Sequence, residues 1–373
     1  MALDAWLTLL QALPCATATR RAALREAGSA EALLAMPAPE LVTRGIPHSK
    51  VERLGAPDQD TISRWRRWLD DPGHALITLD APAYPDLLRE VPDAPLALWV
   101  DGSNHALLRM PQLAIVGSRN PTSGGRANAE DFAEFLSGRG LTITSGLATG
   151  IDSASHRGAI GGIGGTIAVL GCGIDTVYPR RNRKLAARIA EFGLIVSEYP
   201  PGTPVRPYQF PQRNRIIAGL SLGTLVVEAT RRSGSLITAR LAADYGREVF
   251  AIPGSIHNPL ARGCHKLIRD GAGIIEDGND VLTELAPQLV PRLAPADDDR
   301  PGGSRFCENP LADDPAYTKV LDLLGFEPVR VADLHDRAGL TAAELSSMLL
   351  LLEMGGVVEA LPGARYCRLV KRS

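Results

Sequence analysis

The spacing of apolar positions changes along the chain and divides it into regions with different predicted elements. In residues 1 to about 70, apolar side chains recur every three or four positions, as at Leu3, Trp6, Leu7 and Leu10. That is the period of an amphipathic helix. Prolines and glycines interrupt the pattern repeatedly, so this region is predicted to be a small bundle of short helices.

From residue 113 to about 281, short continuous apolar runs alternate with stretches of helical period. The predicted strands are 113–116, 141–144, 166–170, 194–196, 224–227 and 248–252, with 273–275 as a candidate seventh. Strands this apolar are buried on both faces, and helices between them predict an α/β fold with a doubly wound, Rossmann-like parallel sheet. Two earlier strands, 75–79 and 97–100, are interpreted as an extension of this sheet.

The C-terminal part predicts a linker and a small final domain. Residues 291–312 are rich in proline, aspartate and glycine and lack periodicity, and residues 313–373 contain three helical stretches and a hairpin, which suggests a winged helix. The third helix starts at a capping box, Thr341 and Glu344. It carries two glutamates and no lysine or arginine, which favours a structural or protein-contact role over duplex recognition. The predicted domains are 1–70, 71–290, the linker 291–312, and 313–373.

Composition describes an ordinary globular protein, with 45% hydrophobic and 22% charged residues. The five cysteines are scattered without a Cys-x-x-Cys pair, which indicates free thiols and a reducing, cytoplasmic location. No apolar run reaches about 18 residues, so no membrane partner is expected. The formal net charge is −2, yet residues 111–275 contain 19 Lys/Arg against 11 Asp/Glu. A basic central region predicts a polyanionic partner.

The first candidate site follows the strand at 113–116, where Gly117, Ser118 and Arg119 lead into a helix. A strand that ends in a Gly/Ser turn at a helix start presents backbone N–H groups to an anion, and an arginine there adds a charge-assisted phosphate contact. An ordinary turn with a surface arginine is the alternative.

Three further segments carry cations. One segment lies at a predicted helix start near Asn214 and contains Phe210, Arg213, Asn214 and Arg215. A nucleic-acid base could stack on the phenylalanine ring there while phosphates pair with the arginines. The segment taken alone is equally compatible with a packed phenylalanine and solvated arginines. A second candidate anion site follows Arg231 and Arg232, where Ser233, Gly234 and Ser235 lead from a predicted strand into a helix. Residues 180–184 form a basic cluster interpreted as a solvated face, and Lys266 lies near a glycine turn.

Several kinds of enzyme site are excluded by the sequence. There is no Gly-Lys dipeptide for a Walker A loop, no His-Glu-x-x-His, and no dinucleotide fingerprint. Residues 219–223 match Gly-x-Ser-x-Gly, but a predicted helix precedes the serine and a strand follows it, which reverses the order of a nucleophile elbow. His257 and His265 lack partnering ligands, so no metal is expected.

Several motifs occur together in a characteristic order. They are Gly117-Ser118-Arg119, Ser145-Gly146-Leu147-Ala148 with Gly150-Ile151-Asp152, Tyr178-Pro179, Ser197-Glu198-Tyr199-Pro200, Phe210-Pro211 with Arg213-Asn214-Arg215-Ile216-Ile217, Ser233-Gly234-Ser235-Leu236, Pro253-Gly254, and Lys266-Leu267-Ile268 with Gly271-Ala272. The set resembles the DNA-processing protein A (DprA/Smf) family over essentially the whole chain. One departure is His265, where the family commonly has asparagine.

The resemblance implies a helical (SAM-like) N-terminal domain, an extended Rossmann core and a C-terminal winged helix. It implies a protein without catalysis or cofactor that binds and protects incoming single-stranded DNA during natural transformation. Its expected partners are the RecA recombinase, which it helps to load, and a second copy bound through the Rossmann core. Carried over by motif, the residues expected to line one DNA-binding groove are Gly117, Ser118, Arg119, Phe210, Arg213, Asn214, Arg215, Ser233, Gly234, Ser235 and Lys266.

Two alternatives remain at this point. The first is a related Rossmann enzyme that cleaves nucleoside monophosphates at the ribose, for which residues 161–166 supply the glycines but neither the proline nor the glutamate of the motif. The second is a duplex-binding regulator acting through the winged helix, which the acidic third helix argues against.

Overall fold

The structure is a computed structural model that describes residues 2–14, 17–293, 315–324, 329–338, 358–361 and 365–368, together with residues 345, 348, 349 and 352. Two compact units are distinguished, Met1–Pro295 and Ala296–Ser373. The predicted domain limits stay predictions, and most of the 291–312 linker, the capping box at residue 341 and the turn at 362–363 lie outside the described residues. Within the described part, no helix combines the length and apolarity needed to cross a membrane.

The N-terminal region is helical, as predicted. Its helices are α1 (Ala2–Ala12), α2 (Ala18–Ala27), α3 (Ala30–Leu34), α4 (Ala38–Thr43), α5 (His48–Gly55) and α6 (Gln59–Leu69). The apolar stripe of α1 is buried, including Trp6, Leu7 and Leu10. Trp65 of α6 meets Trp99 edge-on with ring centroids 5.4 Å apart and donates from Nε1 to the carbonyl of Pro201 at 3.1 Å. These contacts pack the helices against the sheet that follows.

A nine-stranded sheet forms the centre of the first unit. Its strands are β1 (His74–Thr78), β2 (Ala97–Asp101), β3 (Gln112–Val116), β4 (Thr142–Ser145), β5 (Thr166–Leu170), β6 (Leu194–Ser197), β7 (Gly223–Val226), β8 (Glu248–Ala251) and β9 (Gly273–Ile274), in the spatial order β1-β2-β6-β5-β4-β3-β7-β8-β9. The strands from β3 to β9 are parallel to one another, whereas β2 joins β6 antiparallel. The predicted seventh parallel strand and the two-strand extension are both confirmed.

Helices cover both faces of the sheet. They are α7 (Asp86–Glu90), α8 (Ser123–Gly138), α9 (Ile151–Ala159), α10 (Arg183–Phe192), α11 (Gln209–Leu220), α12 (Ser235–Asp244), α13 (Arg262–Arg269) and α14 (Gly278–Leu293). Alternate residues of β3 enter different cores: Ala114 and Val116 pack with α11 and α12, whereas Leu113 and Ile115 pack with α8, α9 and α14. This two-sided burial explains why the strands are continuously apolar and confirms the doubly wound fold class.

The second unit contains α15 (Pro315–Leu324), β10 (Val329–Arg330), α16 (Val331–Ala338), β11 (Val358–Leu361) and β12 (Arg365–Arg368), with the strands in the order β10-β12-β11. Leu345, Met348, Leu349 and Leu352 are helical and buried in its core. Their three- and four-residue spacing fits the predicted third helix.

One buried group in the sheet predicts a pH dependence of stability. His156 of α9 is fully buried, and its Nδ1 lies 2.7 Å from Oγ1 of Thr166. That hydroxyl donates its proton to the carbonyl of Ile143 at 2.6 Å, so the imidazole donates to the hydroxyl oxygen from Nδ1. Burial, with smaller contributions from Arg213 and Arg157, lowers the pKa of His156 from 6.5 to about 3.

The unfolded chain therefore binds a proton at His156 near pH 6.5, while the folded chain does not until about pH 3. We expect this residue to lower the free energy of unfolding as the pH falls through that window, by up to ~1.4 kcal/mol per pH unit. Urea unfolding at several pH values gives the slope of the free energy of unfolding against pH. His156→Leu should remove the contribution of this histidine to that slope. His257→Leu, at an exposed histidine, is the matched control and should keep it. Equal slopes for His156→Leu and the unaltered protein would contradict the assignment.

Candidate nucleic-acid interface

The order of the strands creates one groove at the carboxyl edge of the sheet. From β3, the chain builds β4, β5 and β6 on one side and then β7, β8 and β9 on the other. The loops that leave β3 and β7 therefore diverge at a topological switch point, where α/β sheets bind ligands. A recess of about 450 Å³ lies there, which we call the switch-point groove; it is lined by Val116, Gly117, Ser118, Arg119, Ala148, Asp152, Phe210, Pro211, Arg213, Asn214, Ile217, Thr230, Ser233, Gly234, Ser235, Ile237 and Thr238.

The backbone of the first wall is held by the protein itself. A Cβ at Gly117 would lie 2.6 Å from Ile151 Cγ1 and 2.9 Å from the carbonyl oxygen of Glu228, so only glycine fits. The amide of Ser118 donates to that Glu228 carbonyl at 2.7 Å, and its carbonyl accepts from the Ile151 amide at 3.1 Å. The Ser118 backbone is thus already engaged, which corrects the expectation that its N–H faces a phosphate. Its hydroxyl remains beside the groove.

Arg119 is the exposed cation of this wall. Gly150 lies beneath it with a φ of +85°, and a Cβ at Gly150 would come 2.2 Å from the Ser118 carbonyl oxygen. The backbone before Arg119 is therefore fixed by a close approach that a larger residue would prevent. Its guanidinium forms no ion pair with any residue that the structure describes, so it is available to an external anion.

Glu228 joins the two loops behind the groove. Its buried carboxylate accepts hydrogen bonds from the amide and the hydroxyl of Thr122, at 2.8 and 2.7 Å, and from Nδ2 of Asn258 at 3.3 Å. Thr122 in turn caps α8 by accepting from the Gly125 amide. The carboxylate therefore holds the end of β7 against the start of α8.

Helix α11 forms the second wall and starts earlier than predicted. It begins at Gln209 instead of near Asn214, because Pro211 falls in the first turn, where a missing N–H costs no helical hydrogen bond. Phe210, Arg213, Asn214 and Ile217 are then three or four positions apart and face the groove together. The Phe210 ring is half-buried and lies 5.5 Å from the Tyr178 ring, tilted by 40°.

Arg213 and Arg215 have different environments although they are two positions apart. Arg213 lies in the floor of the groove and donates to the carbonyl of Gly146 at 2.6 Å and to that of Val169. Arg215 points away from the groove and is 6% exposed; it binds Glu198 at 2.5 Å and Asp93 at 3.3 Å. Burial opposes its charge, but Glu198 and Asp93 outweigh burial and raise the pKa of Arg215. The prediction that Arg215 lines the groove is therefore corrected.

The third wall is the N-terminal end of α12. Ser233, Gly234 and Ser235 line the groove as predicted, and the two serine hydroxyls lie 2.7 Å apart. A helix N-terminus carries a partial positive charge. This wall can therefore offer hydroxyl donors and a favourable dipole to the same anion that Arg119 reaches.

Lys266 does not belong to this groove. It lies on α13 in a separate depression with Arg240 and Asp270, on the other side of α12, and its predicted place beside the other residues is corrected. His265, the departure from the family pattern, has Nε2 at 2.9 Å from the carbonyl oxygen of Gly254.

A second cavity adjoins the groove at Arg119. It measures about 290 Å³, shares Arg119, Ala148, Phe210 and Arg213 with the groove, and adds Tyr178 and Arg181. We call it the Tyr178 cavity. Arg181 belongs to the basic cluster at 180–184, which the sequence indicated only as a solvated face. The cations of the cluster are exposed, and one of them, Arg181, also lines the cavity that adjoins the switch-point groove.

Asp152 and Ile237 are lining residues that the sequence reasoning missed. Asp152 lies in the first turn of α9, and burial raises the pKa of its carboxyl while nearby Arg213 opposes this. Ile237 lies in the first turn of α12 and is 43% exposed. Both lie in the first turn of a helix that follows a predicted strand, 141–144 for Asp152 and 224–227 for Ile237. Their position shortly after a strand end was the available signal, because ligands bind at the carboxyl ends of parallel strands.

Other candidate chemistry lies away from the groove. Ser221 is fully buried between α11 and β7 and donates to the carbonyl of Ile217 at 2.9 Å, so it is no nucleophile elbow. The glycines at residues 161–166, considered above for a phosphoribohydrolase motif, lead into the amino end of β5. That edge of the sheet is opposite the groove, and none of these residues lines the groove. In the described part of the chain, no three His, Cys, Asp or Glu residues are grouped to hold a metal ion.

The fold and the groove together define a class of protein: a Rossmann-like α/β protein with a cationic, partly apolar groove at its topological switch point. The model of the DNA recombination-mediator protein A family matches residues 75–286, and that of the DprA winged helix domain matches residues 308–364. The chain belongs to the DNA recombination-mediator protein A (DprA/Smf) family, and its C-terminal domain is a winged helix.

Its relatives include Protein Smf of Escherichia coli, which is 45% identical over 305 residues, 81% of this chain and 79% of that protein. DNA processing protein DprA of Streptococcus pneumoniae is 48% identical over 202 residues, 54% of this chain and 71% of that protein. Its X-ray structure matches with a TM-score of 0.68 at 37% identity, covering 76% of this chain and 98% of that one.

DNA processing protein A of Helicobacter pylori has a solved structure described for its single-stranded DNA binding mode. It matches with a TM-score of 0.52 at 30% identity and covers 57% of this chain and 96% of that chain.

Proposed function

We propose that this protein binds single-stranded DNA in the switch-point groove and acts as a recombination mediator without catalytic turnover. The observation that carries the proposal is the exposed Arg119, which has no ion-pair partner among the described residues and lies beside the half-buried ring of Phe210 in one recess. A cation next to an aromatic ring is the arrangement that binds a phosphate and a stacked base together. The H. pylori relative, described for single-stranded DNA binding, supports the same ligand.

In this proposal one phosphodiester lies between Arg119 and the α12 N-terminus. Arg119 supplies a charge-assisted hydrogen bond, while Ser118, Ser233 and Ser235 supply hydroxyl donors. The neighbouring base packs between Phe210 and Ile237. In a duplex the bases are stacked and paired, so this packing requires a single strand.

The strand continues from the groove into the Tyr178 cavity. Tyr178 is 48% exposed and offers a second ring beside Phe210, and the exposed Arg181 lies beyond it as a further phosphate contact. The path thus runs from α12 across Arg119 to the basic cluster at residues 180–184.

The binding proposal extends to protection of incoming DNA and to loading of RecA during natural transformation. The family name, DNA recombination-mediator protein A, supports a role in recombination. We also propose a homodimer through the core. The edge strand β9 supports this, because its Ile274 is 54% exposed and an unpaired sheet edge favours pairing between copies. Light scattering of the purified chain and RecA filament assembly on single-stranded DNA measure these two properties.

Binding of labelled single-stranded and duplex oligonucleotides across a potassium chloride series tests the function. We expect tighter binding of the single strand, with an affinity that falls steeply as salt rises, because bound phosphates release counterions. Equal affinity for the duplex, or no salt dependence, would refute the proposal. Release of ribose 5-phosphate from a nucleoside monophosphate would establish the phosphoribohydrolase alternative instead.

A further inference from the structure

Two uncharged or acidic side chains of the switch-point groove, Asn214 and Asp152, differ in chemistry from the cations around them. Asp152 lines the groove but is a carboxylate, which repels phosphate, and only 8% of its surface is exposed. Asn214 lines the same recess, is half-buried, and makes no side-chain hydrogen bond to any residue that the structure describes. A buried acceptor and a free amide in one recess require a different explanation from the surrounding cations.

The carboxylate of Asp152 retains acceptor capacity toward the groove. Its Oδ2 accepts from the Ala148 amide at 3.3 Å, and the Gly146 amide also interacts with it. It forms no ion pair within 4 Å in the described part of the chain; the nearby Arg213 is bound to the carbonyls of Gly146 and Val169. An ionised carboxylate has about four acceptor positions, so roughly two remain for a ligand.

The chemistry of these groups selects among the four bases. The Watson–Crick edge of guanine presents two adjacent N–H donors, N1–H and N2–H₂, beside the O6 acceptor. A carboxylate accepts both donors, and an asparagine amide donates to O6. Thymine offers a single donor, and the N3 lone pair of cytosine and the N1 lone pair of adenine would each face the negative charge of Asp152.

We propose that Asp152 and Asn214 make the groove selective for guanine, with the base held between Phe210 and Ile237. This inference rests on the proposed binding of single-stranded DNA and adds a base preference to it. A site built to hydrogen-bond a ligand discriminates strongly against analogues that leave its buried polar groups unpaired.

The test uses short oligothymidylates in which one central thymine is replaced by guanine, inosine, adenine or cytosine, and anisotropy gives the affinities of the full-length protein. We expect the guanine oligonucleotide to bind roughly tenfold tighter than oligothymidylate, since one good bidentate pair gives ~5- to 150-fold discrimination. Inosine lacks the N2 amine and should bind with intermediate affinity.

The ratio of guanine to thymine affinity separates base recognition from a structural role. Asp152→Asn should bring the ratio close to one, because the substitution replaces an acceptor oxygen with an amide donor. If Asp152 only held Arg213 in place, the substitution would weaken binding of both oligonucleotides equally and leave the ratio unchanged. Asp131→Asn, the same change at an exposed aspartate of α8 outside the groove, is the matched control and should keep the full ratio. Asn214→Ala is a second variant that should reduce the ratio if Asp152→Asn fails to fold.

Equal affinities for guanine, inosine and thymine in the unaltered protein would overturn the inference, as would an unchanged ratio in both groove variants. If the oligonucleotides bind in an Arg119-dependent manner without base preference, only the guanine inference fails. If none binds, the proposed function fails with it.

Discussion

Replacing Arg119 with alanine is expected to weaken single-stranded DNA binding by roughly 10- to 100-fold at low salt. Arg119 is exposed at the edge of both the switch-point groove and the Tyr178 cavity, and a hydrogen bond to a charged group contributes about 1.5–3 kcal/mol. The slope of log affinity against log salt should also become shallower by about 0.7, the value for one phosphate contact on a single strand. Anisotropy titrations across a salt series measure both quantities.

The matched control for Arg119→Ala is Arg109→Ala. Arg109 is also exposed, but it precedes β3 at the amino edge of the sheet, opposite the groove. Its removal changes the net charge equally and should shift affinity only slightly. If both variants weaken binding to the same extent, general electrostatic attraction accounts for the effect, and Arg119 is not a specific contact.

Replacing Arg215 with methionine is expected to lower the free energy of unfolding by about 3–5 kcal/mol. The change breaks the ion pair with the Glu198 carboxylate, which is 4% exposed and lies 2.5 Å from the guanidinium, and removing one partner of a buried ion pair costs about 3–5 kcal/mol. Replacing Glu198 by leucine in the same chain should recover much of the loss, because a buried apolar pair avoids the desolvation of two ions. Urea unfolding of the two single variants and the double variant measures this coupling.

Arg126→Met, at an exposed arginine of α8, is the control and should change stability by less than about 0.5 kcal/mol. The folded Arg215→Met protein should keep the salt slope of DNA binding, because Arg215 lies outside the groove. A variant with normal stability and a shallower slope would place Arg215 in the DNA interface and contradict the arrangement described above.

The two arginines show where sequence reasoning stopped. In Phe210-Pro211-Gln212-Arg213-Asn214-Arg215, both cations have the same apparent chemistry, and the predicted helix start near Asn214 gave no reason to separate them. Once α11 begins at Gln209, Phe210, Arg213 and Asn214 share one helix face, and Arg215, two positions beyond Arg213, lies on the opposite one. The position of the helix start, with Pro211 in the first turn, determined which arginine lines the groove.

Local sequence also could not show that Lys266 lies outside the groove and that Asp152 lies in it. Lys266 was grouped with the site because its motif accompanies the others along the chain, but α12 separates it from the groove. Asp152 belongs to the Gly150-Ile151-Asp152 motif, yet its negative charge gives no indication of a place in a cationic site. Its burial beside Arg213 becomes apparent only when α9, which follows β4, and α11, which follows β6, meet at the carboxyl edge of the sheet.

The sequence by itself determined the strands, the helices between them, the two-sided burial of the sheet and the Gly/Ser turns that lead from strands into helices. These features follow from local periodicity and turn chemistry, which act over a few residues. Only the tertiary structure decided that β7 pairs with β3, so that Arg119 and Ser233, more than a hundred positions apart, line one groove. Strand order depends on the packing of the whole sheet and its helices, and no local pattern encodes it.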